Sequence, residues 1–252
     1  MRSAAVAMRL RRSVERILPP SWSERLRGWL GARGESPRTM RHLGRMRDQG
    51  FDPDVVIDAG AAHGDWTVSC RRIFPRAVHV MIEPLPLYAS ELSALAEDDS
   101  IEYLPVAAGR QKMDLPLLVP KRPGGSSFLP SSRPEDTYFK RSVTVPVVPL
   151  DDLDILEGPT LLKLDVQGFE LEVIAGAGHL LEQVDVIVVE CSLHPFQRDL
   201  PLIDEVIERV SALGFRLYDT ADEERWSSGT LAQVDVIFVR SDSPLLASQW
   251  WS

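Results

Sequence analysis

Four acids stand at the ends of short apolar runs. Asp58 follows Val55-Val56-Ile57, Glu83 follows Val78 to Ile82, Asp165 follows Leu161 to Leu164, and Glu190 follows Val186 to Val189. Runs this short and this rich in branched residues read as strands buried on both faces. In a mostly parallel sheet their ends fall on one edge, where open α/β sheets bind ligands. A buried carboxylate without compensation is costly, so four gathered there exceed any packing need. They imply a site for a cationic or hydroxyl-rich ligand.

The first acid opens a turn, Asp58-x-Gly60-x-x-x-Gly64, and then a helix start at Asp65. Glycine lets the backbone turn tightly and approach a ligand closely. The turn lacks the Gly-x-Gly-x-x-Gly spacing that sets a pyrophosphate on a helix N-terminus. That weighs against a nicotinamide-dependent oxidoreductase. S-adenosylmethionine carries no phosphate, so an acid-led turn suits it. Glu83, 25 residues beyond Asp58, is placed to accept both hydrogen bonds of a ribose diol. His63 and Trp66 flank the turn and read as a backbone contact and helix packing.

These strands alternate with helices expected over Asp65–Ile73, Leu87–Ala96, the stretch after Glu170, and Pro201–Leu213. A third strand is expected at Ile101–Val106, a sixth at Phe215–Tyr218 and a seventh at Val234–Val239. Seven strands with interleaved helices give a three-layer α/β fold. Residues 111–150 interrupt the alternation with two strands, Leu115–Val119 and Val143–Val148. Pro116 and Pro146 favour edge positions in them. The polar loop between carries Gly124-Gly125-Ser126-Ser127-Phe128, where an acceptor could be gripped.

Charge is uneven. Residues 1–50 hold 12 of the 28 basic residues, all arginine, and only 4 of the 37 acids. The remainder is strongly acidic, which argues against nucleic acid as the main substrate. The organisation expected is an arginine-rich helical extension over 1–50, a catalytic domain over 51–242 and a tail over 243–252. Helices are expected within the extension at Met8–Leu18 and from Ser21 to near Gly31, and a helix leading into the core at Arg38–Gln49. The extension reads as a solvated appendage able to touch an anionic membrane surface. No apolar run approaches the roughly 20 residues that span a bilayer. Cys70 and Cys191 have no zinc-ligand or disulfide spacing, so a reduced, cytoplasmic setting is the default.

Taken in order, several stretches resemble the FkbM-type S-adenosylmethionine-dependent methyltransferases. They are Val56 to Thr67, Ile82-Glu83-Pro84, Leu150-Asp151-Asp152-Leu153, Leu162 to Glu170, and Gly229 to Val239. The resemblance covers roughly residues 51–240. It implies a class I methyltransferase sheet, Rossmann-like, with an antiparallel last strand inserted beside the fifth. It implies S-adenosylmethionine as donor, S-adenosylhomocysteine as product, and O-methylation of a hydroxyl on a sugar, glycan or polyketide-like acceptor. By position Asp58, Gly60, Ala61 and Gly64 would form the cofactor turn, Glu83 would hold the ribose, and Asp165, Gly168 and Glu170 would line the reacting edge.

An alcohol needs its proton removed as the new bond forms. Asp165 is the first candidate base and His194 the second. Ser126, Ser127, Glu170 and Glu190 are candidates for the acceptor side. Asp165, Glu170 and Glu190 are hard oxygen ligands, but their spacing demands no metal. Ala62 stands where the family often has Asn, and Gln167 where it often has Glu. Those departures keep open a scaffold that retains the fold without chemistry.

Overall fold

The computed structural model describes residues 37–121, 123–132 and 138–247. The helices expected at Met8–Leu18 and Ser21–Gly31 lie outside them. The order is α1 (Pro37–Asp48), β1 (Val55–Ala59), α2 (Asp65–Ile73), β2 (Val78–Ile82), α3 (Ala89–Leu95), β3 (Ile101–Leu104), β4 (Ala107–Ala108), β5 (Met113–Pro120) and β6 (Phe139–Val148). It continues with β7 (Thr160–Leu164), α4 (Glu170–Ala175), β8 (Val184–Ser192), α5 (Ile203–Ala212), β9 (Phe215–Arg225) and β10 (Leu231–Arg240).

Seven strands form one sheet in the order β3-β2-β1-β7-β8-β10-β9. The β1, β2, β3, β7 and β8 pairs are parallel, and β10 runs antiparallel between β8 and β9. That is the class I methyltransferase order. Successive side chains in β1 alternate between two cores. Val55 and Ile57 pack with Val173, Val206 and Phe215 on the α4/α5 side. Val56 packs with Leu43, Met46, Cys70 and Phe74 on the α1/α2 side. Both faces of the central strands are therefore dry, as an apolar run without alternation requires.

The insert forms its own sheet, β4-β6-β5. Its Leu117, Val119, Val145 and Val147 pack on Met81, Tyr88 and Leu92, so it caps the β2 end of the main sheet. Pro116 lies on an edge strand as expected. Pro146 lies in the middle strand, yet β4 pairs only with Val147 and Val148, so that edge of β6 is open at the proline. The third strand ends at Leu104 rather than Val106, and the chain turns there into β4.

Leu43 and Met46 of α1 are fully buried in the core, and Leu245 beyond β10 is 4% exposed in the same cluster. Amphipathic α1 thus lays its apolar stripe on the sheet, as a helix leading into the core must. The Asp222 carboxylate of β9 accepts the Arg38 and Thr39 N–H groups, which fixes the start of α1. Leu43→Ala should lower unfolding free energy by about 2–5 kcal/mol, the usual cost of truncating a buried leucine. Chemical denaturation checks this; a change under about 0.5 kcal/mol, the scale of surface substitutions, would make α1 a detachable appendage.

Candidate active site

Lys163 is the residue around which the edge is built. It is the last residue but one of β7, between Leu162 and Leu164, with its side chain 9% exposed. Its Nζ lies 3.0 Å from Asp58 Oδ1 and 3.3 Å from Asp165 Oδ2. It also donates to the Gly60 carbonyl at 3.4 Å. Burial works against the ammonium, but the two carboxylates outweigh it and hold its pKa above the ordinary lysine value. Thr67 Oγ1 donates to Asp58 Oδ2 at 2.7 Å, which completes that carboxylate. Asp58 therefore lies behind the turn, 1% exposed, and shapes it rather than facing a cavity.

The turn after β1 is left-handed at Gly60, Ala62 and Gly64, with φ of 85°, 46° and 78°. A Cβ on Gly60 would sit 1.8 Å from the Asp165 carbonyl oxygen, so only glycine lets the two turns touch. A Cβ on Gly64 would meet Leu95, Leu92 and Met81; this glycine is demanded by packing against α3. Glu83 crosses between the loops. Its Oε2 accepts the Ala62 N–H at 3.0 Å and its Oε1 the Leu85 N–H at 2.9 Å. Each oxygen keeps a further lone pair. Burial raises the Glu83 pKa to about 7 despite those two backbone donors.

The turn after β7 is left-handed at Gln167 and Gly168, with φ of 54° and 98°. Glu170 Oε1 accepts the N–H groups of Val166 and Gly168, both at 3.1 Å. Ser127 Oγ donates to the Gln167 carbonyl at 2.6 Å. Both side chains are buried, so they brace this turn and are not open to an acceptor. The Gln167 amide then bridges two acids, donating to Asp165 Oδ1 at 2.9 Å and Glu190 Oε2 at 2.7 Å. Gln233 of β10 donates to the same Glu190 oxygen at 2.8 Å. Burial first, then Asp165, Glu170 and Asp235, pushes the Glu190 pKa up. Glu190 is not the last residue of its strand, because β8 pairs with β10 as far as Ser192.

Three adjoining cavities open along this edge. One, of about 90 Å³, lies under the insert and is lined by Gly60, Glu83, Leu85, Tyr88, Ser126 and Asp165 among others. A second, of about 310 Å³, is lined by Gly60, Ala61, Trp66, Lys163, Asp165 and Glu190 among others. Gly60, Ala62 and Asp165 border both. The third, of about 620 Å³, includes His194, Trp226, Gln167 and Gln233 in its walls. So Gly60, Ala61, Glu83, Asp165, Ser126 and Glu190 converge at the first two, while His194 borders the third. Among the described residues no group of three or more His, Cys, Asp or Glu could hold a metal. No described helix is long and apolar enough to cross a membrane.

A family model for the methyltransferase FkbM domain matches residues 58–217. The chain belongs to this family. The match spans the turn after β1, the Glu83 loop, the insert and the Asp165 turn. No curated protein matches the chain. Solved structures with a related backbone include magnesium protoporphyrin IX methyltransferase from Synechocystis PCC 6803 with bound S-adenosylmethionine. It is 11% identical, with 95% of this chain and 97% of that one covered and a TM-score of 0.47. A second is 1,6-didemethyltoxoflavin-N1-methyltransferase from Burkholderia thailandensis, at 12% identity, 81% and 78% coverage and a TM-score of 0.46. Likeness at this level says nothing about what this FkbM-family chain binds.

The sequence reading missed Lys163, Tyr88, Gln233 and Trp226. Lysine is almost never buried unless paired, so Lys163 inside an apolar run was itself a signal. Gln233 lay inside the recognised stretch Gly229 to Val239, and nothing local marked Tyr88 or Trp226. Lys163→Met should destabilise the protein by about 3–5 kcal/mol, because it strands two carboxylates at the edge. Denaturant titration would show this; a neutral result would mean the Asp58 and Asp165 charges are solvated.

Proposed function

We propose that this protein transfers a methyl group from S-adenosylmethionine to a hydroxyl of a sugar, glycan or polyketide-like acceptor. Family membership supports the reaction class. The observation that carries the cofactor assignment is Glu83, a nearly buried carboxylate at the end of β2 that borders a cavity and retains lone pairs for a diol. The donor set fits the cofactor. Glu83 would accept the ribose hydroxyls, Leu85 and Tyr88 would flank the adenine, and Gly60 to Ala62 would follow the amino-acid end. Asp58 and Gly64 would serve by holding the turn in shape. Bound there, S-adenosylmethionine supplies an electrophilic methyl on its sulfonium.

Positioning of the acceptor oxygen in line with that methyl supplies much of the rate. Asp165 borders both cofactor cavities, and Lys163 and Gln167 fix the orientation of its carboxylate. It would take the hydroxyl proton; His194, at the wall of the third cavity, is the second candidate. With an acceptor in hand, Asp165→Asn should bind cofactor and lose transfer, and normal turnover would remove it as base.

Calorimetry with S-adenosylmethionine, S-adenosylhomocysteine and NADH tests the cofactor. Micromolar binding of the first two is expected, weakened about tenfold or more in Glu83→Gln, the scale of a hydrogen bond to a charged group. The pH dependence follows from Glu83. Its carboxylate is the form that accepts the diol, so protonation competes with binding. Affinity should therefore fall as pH drops through about 7, and Glu83→Gln should flatten that dependence. NADH binding without S-adenosylmethionine binding would overturn the reading.

A further inference from the structure

The largest of the three cavities lies outside the cofactor turn. It is enclosed by the start of β6, the loop after β8 and the turn joining β9 to β10. Its position is defined by shared walls. Gln167 borders it and the Glu83 cavity, and Gln233 borders it and the Lys163 cavity. An occupant would thus meet the cofactor pocket at the two glutamines pinned to Glu190.

One wall is an aromatic face in water. Trp226 sits at the start of the β9–β10 turn and is 45% exposed. The turn itself is closed by the Trp226 N–H to Thr230 and the Gly229 N–H to Trp226. His194 backs the indole with ring centroids 4.8 Å apart and planes tilted 31°.

The polar groups of the cavity favour hydroxyls. Both N–H groups of the Gln167 amide go to Asp165 and Glu190, while Gln233 gives one to Glu190 and keeps one, so the two side-chain carbonyl oxygens and one N–H are left to meet a group that both donates and accepts, as a hydroxyl does. Among the described lining residues Arg225 is the cation, and Glu223 already pairs with it at 2.7 Å. Glu224 adds a negative charge at the rim. Among these described residues an anionic occupant would meet no cation without a carboxylate partner and would face that acid. A neutral ring bearing hydroxyls can stack its C–H face on the indole and donate to the amide oxygens.

Building on the proposed methyl transfer, we infer that this cavity is the acceptor subsite, that it takes a neutral polyhydroxylated ring such as a hexopyranoside, and that Trp226 is the platform that ring stacks on. This moves the acceptor away from Ser126 and Ser127. Ser126 borders the small Glu83 cavity, and Ser127 is buried.

The test uses the full chain saturated with S-adenosylhomocysteine, probed by ligand-observed saturation-transfer NMR with methyl glucopyranoside, methyl galactopyranoside and the anionic methyl glucuronoside. The expected result is transfer to at least one neutral glycoside, stronger than to the glucuronoside. Trp226→Ala should weaken it about tenfold, the upper range of an aromatic stacking contribution, and Trp226→Phe should largely retain it. S-adenosylhomocysteine affinity should be unchanged in both variants, which also reports that they fold. Absence of transfer to either neutral glycoside, preference for the glucuronoside, or indifference to Trp226→Ala would each overturn the subsite. Failure of the wild-type chain to bind S-adenosylhomocysteine would instead overturn the methyltransferase reading on which it rests.

Discussion

The ion triple Asp58–Lys163–Asp165 is the constraint on which the working edge depends. Asp58 and Lys163 are paired in register on adjacent strands at the centre of the sheet. One buried ammonium therefore pairs with both the acid that opens the first turn and the acid that opens the second. It also accounts for how the Asp58 carboxylate can be desolvated, while Asp165 keeps part of its side chain open at the edge. A pair in the interior is seldom a net source of stability, but breaking it strands charge. The same contact fixes geometry. Because Lys163 also reaches the Gly60 carbonyl, the first glycine turn is tied to the second strand end that faces it.

From that anchor the two turns become one surface. Gly60 has no Cβ, so the Asp165 carbonyl can press against it. Ala62 and Gln167 both adopt left-handed backbone, which is unfavourable for residues with a Cβ. Glu83 takes the Ala62 N–H, and Ser127 and Glu170 brace the Gln167 turn, so side chains from elsewhere hold both residues in place. The Gln167 amide matters for charge as well. A carboxylate there would face Asp165 and Glu190 with no donor of its own, whereas the amide gives each acid a hydrogen bond.

The central sheet was legible because buried parallel strands are written as short apolar runs that end at functional acids. Val55 to Asp58, Leu161 to Asp165 and the glycine that follows each needed no knowledge of distant residues. The insert strands were legible for the same reason. What stayed hidden was set by tertiary context. Phe215 to Tyr218 was readable as strand, but β9 runs on through Asp219 to Arg225, a polar stretch held by pairing with β10. Met46 and Leu43 looked like part of a charged extension because arginines surround them, although the core covers both. Glu170 and Ser127 have the chemistry of site residues, and only the fold reveals that their oxygens are spent on backbone. Gln233 was inside a recognised stretch, yet its partner Glu190 lies 43 residues away.

This division follows the work each part performs. The inner cavities are made from strand ends and glycine turns of the central sheet, where register leaves little freedom. The third cavity is walled by connections: the start of β6, the loop after β8 and the β9–β10 turn. Such segments vary without disturbing a core, and they carry specificity on a rigid frame. Gln167 and Gln233 join the two regimes, since each belongs to the sheet edge and also borders the outer cavity. Their common attachment to Glu190 means that a change in the outer loops can reach the reacting edge only by moving an amide between buried acids. That is a stiff linkage, because displacing either amide would take from Glu190 one of its two side-chain donors. The fold can therefore exchange its outer walls while the geometry around Asp165 stays fixed.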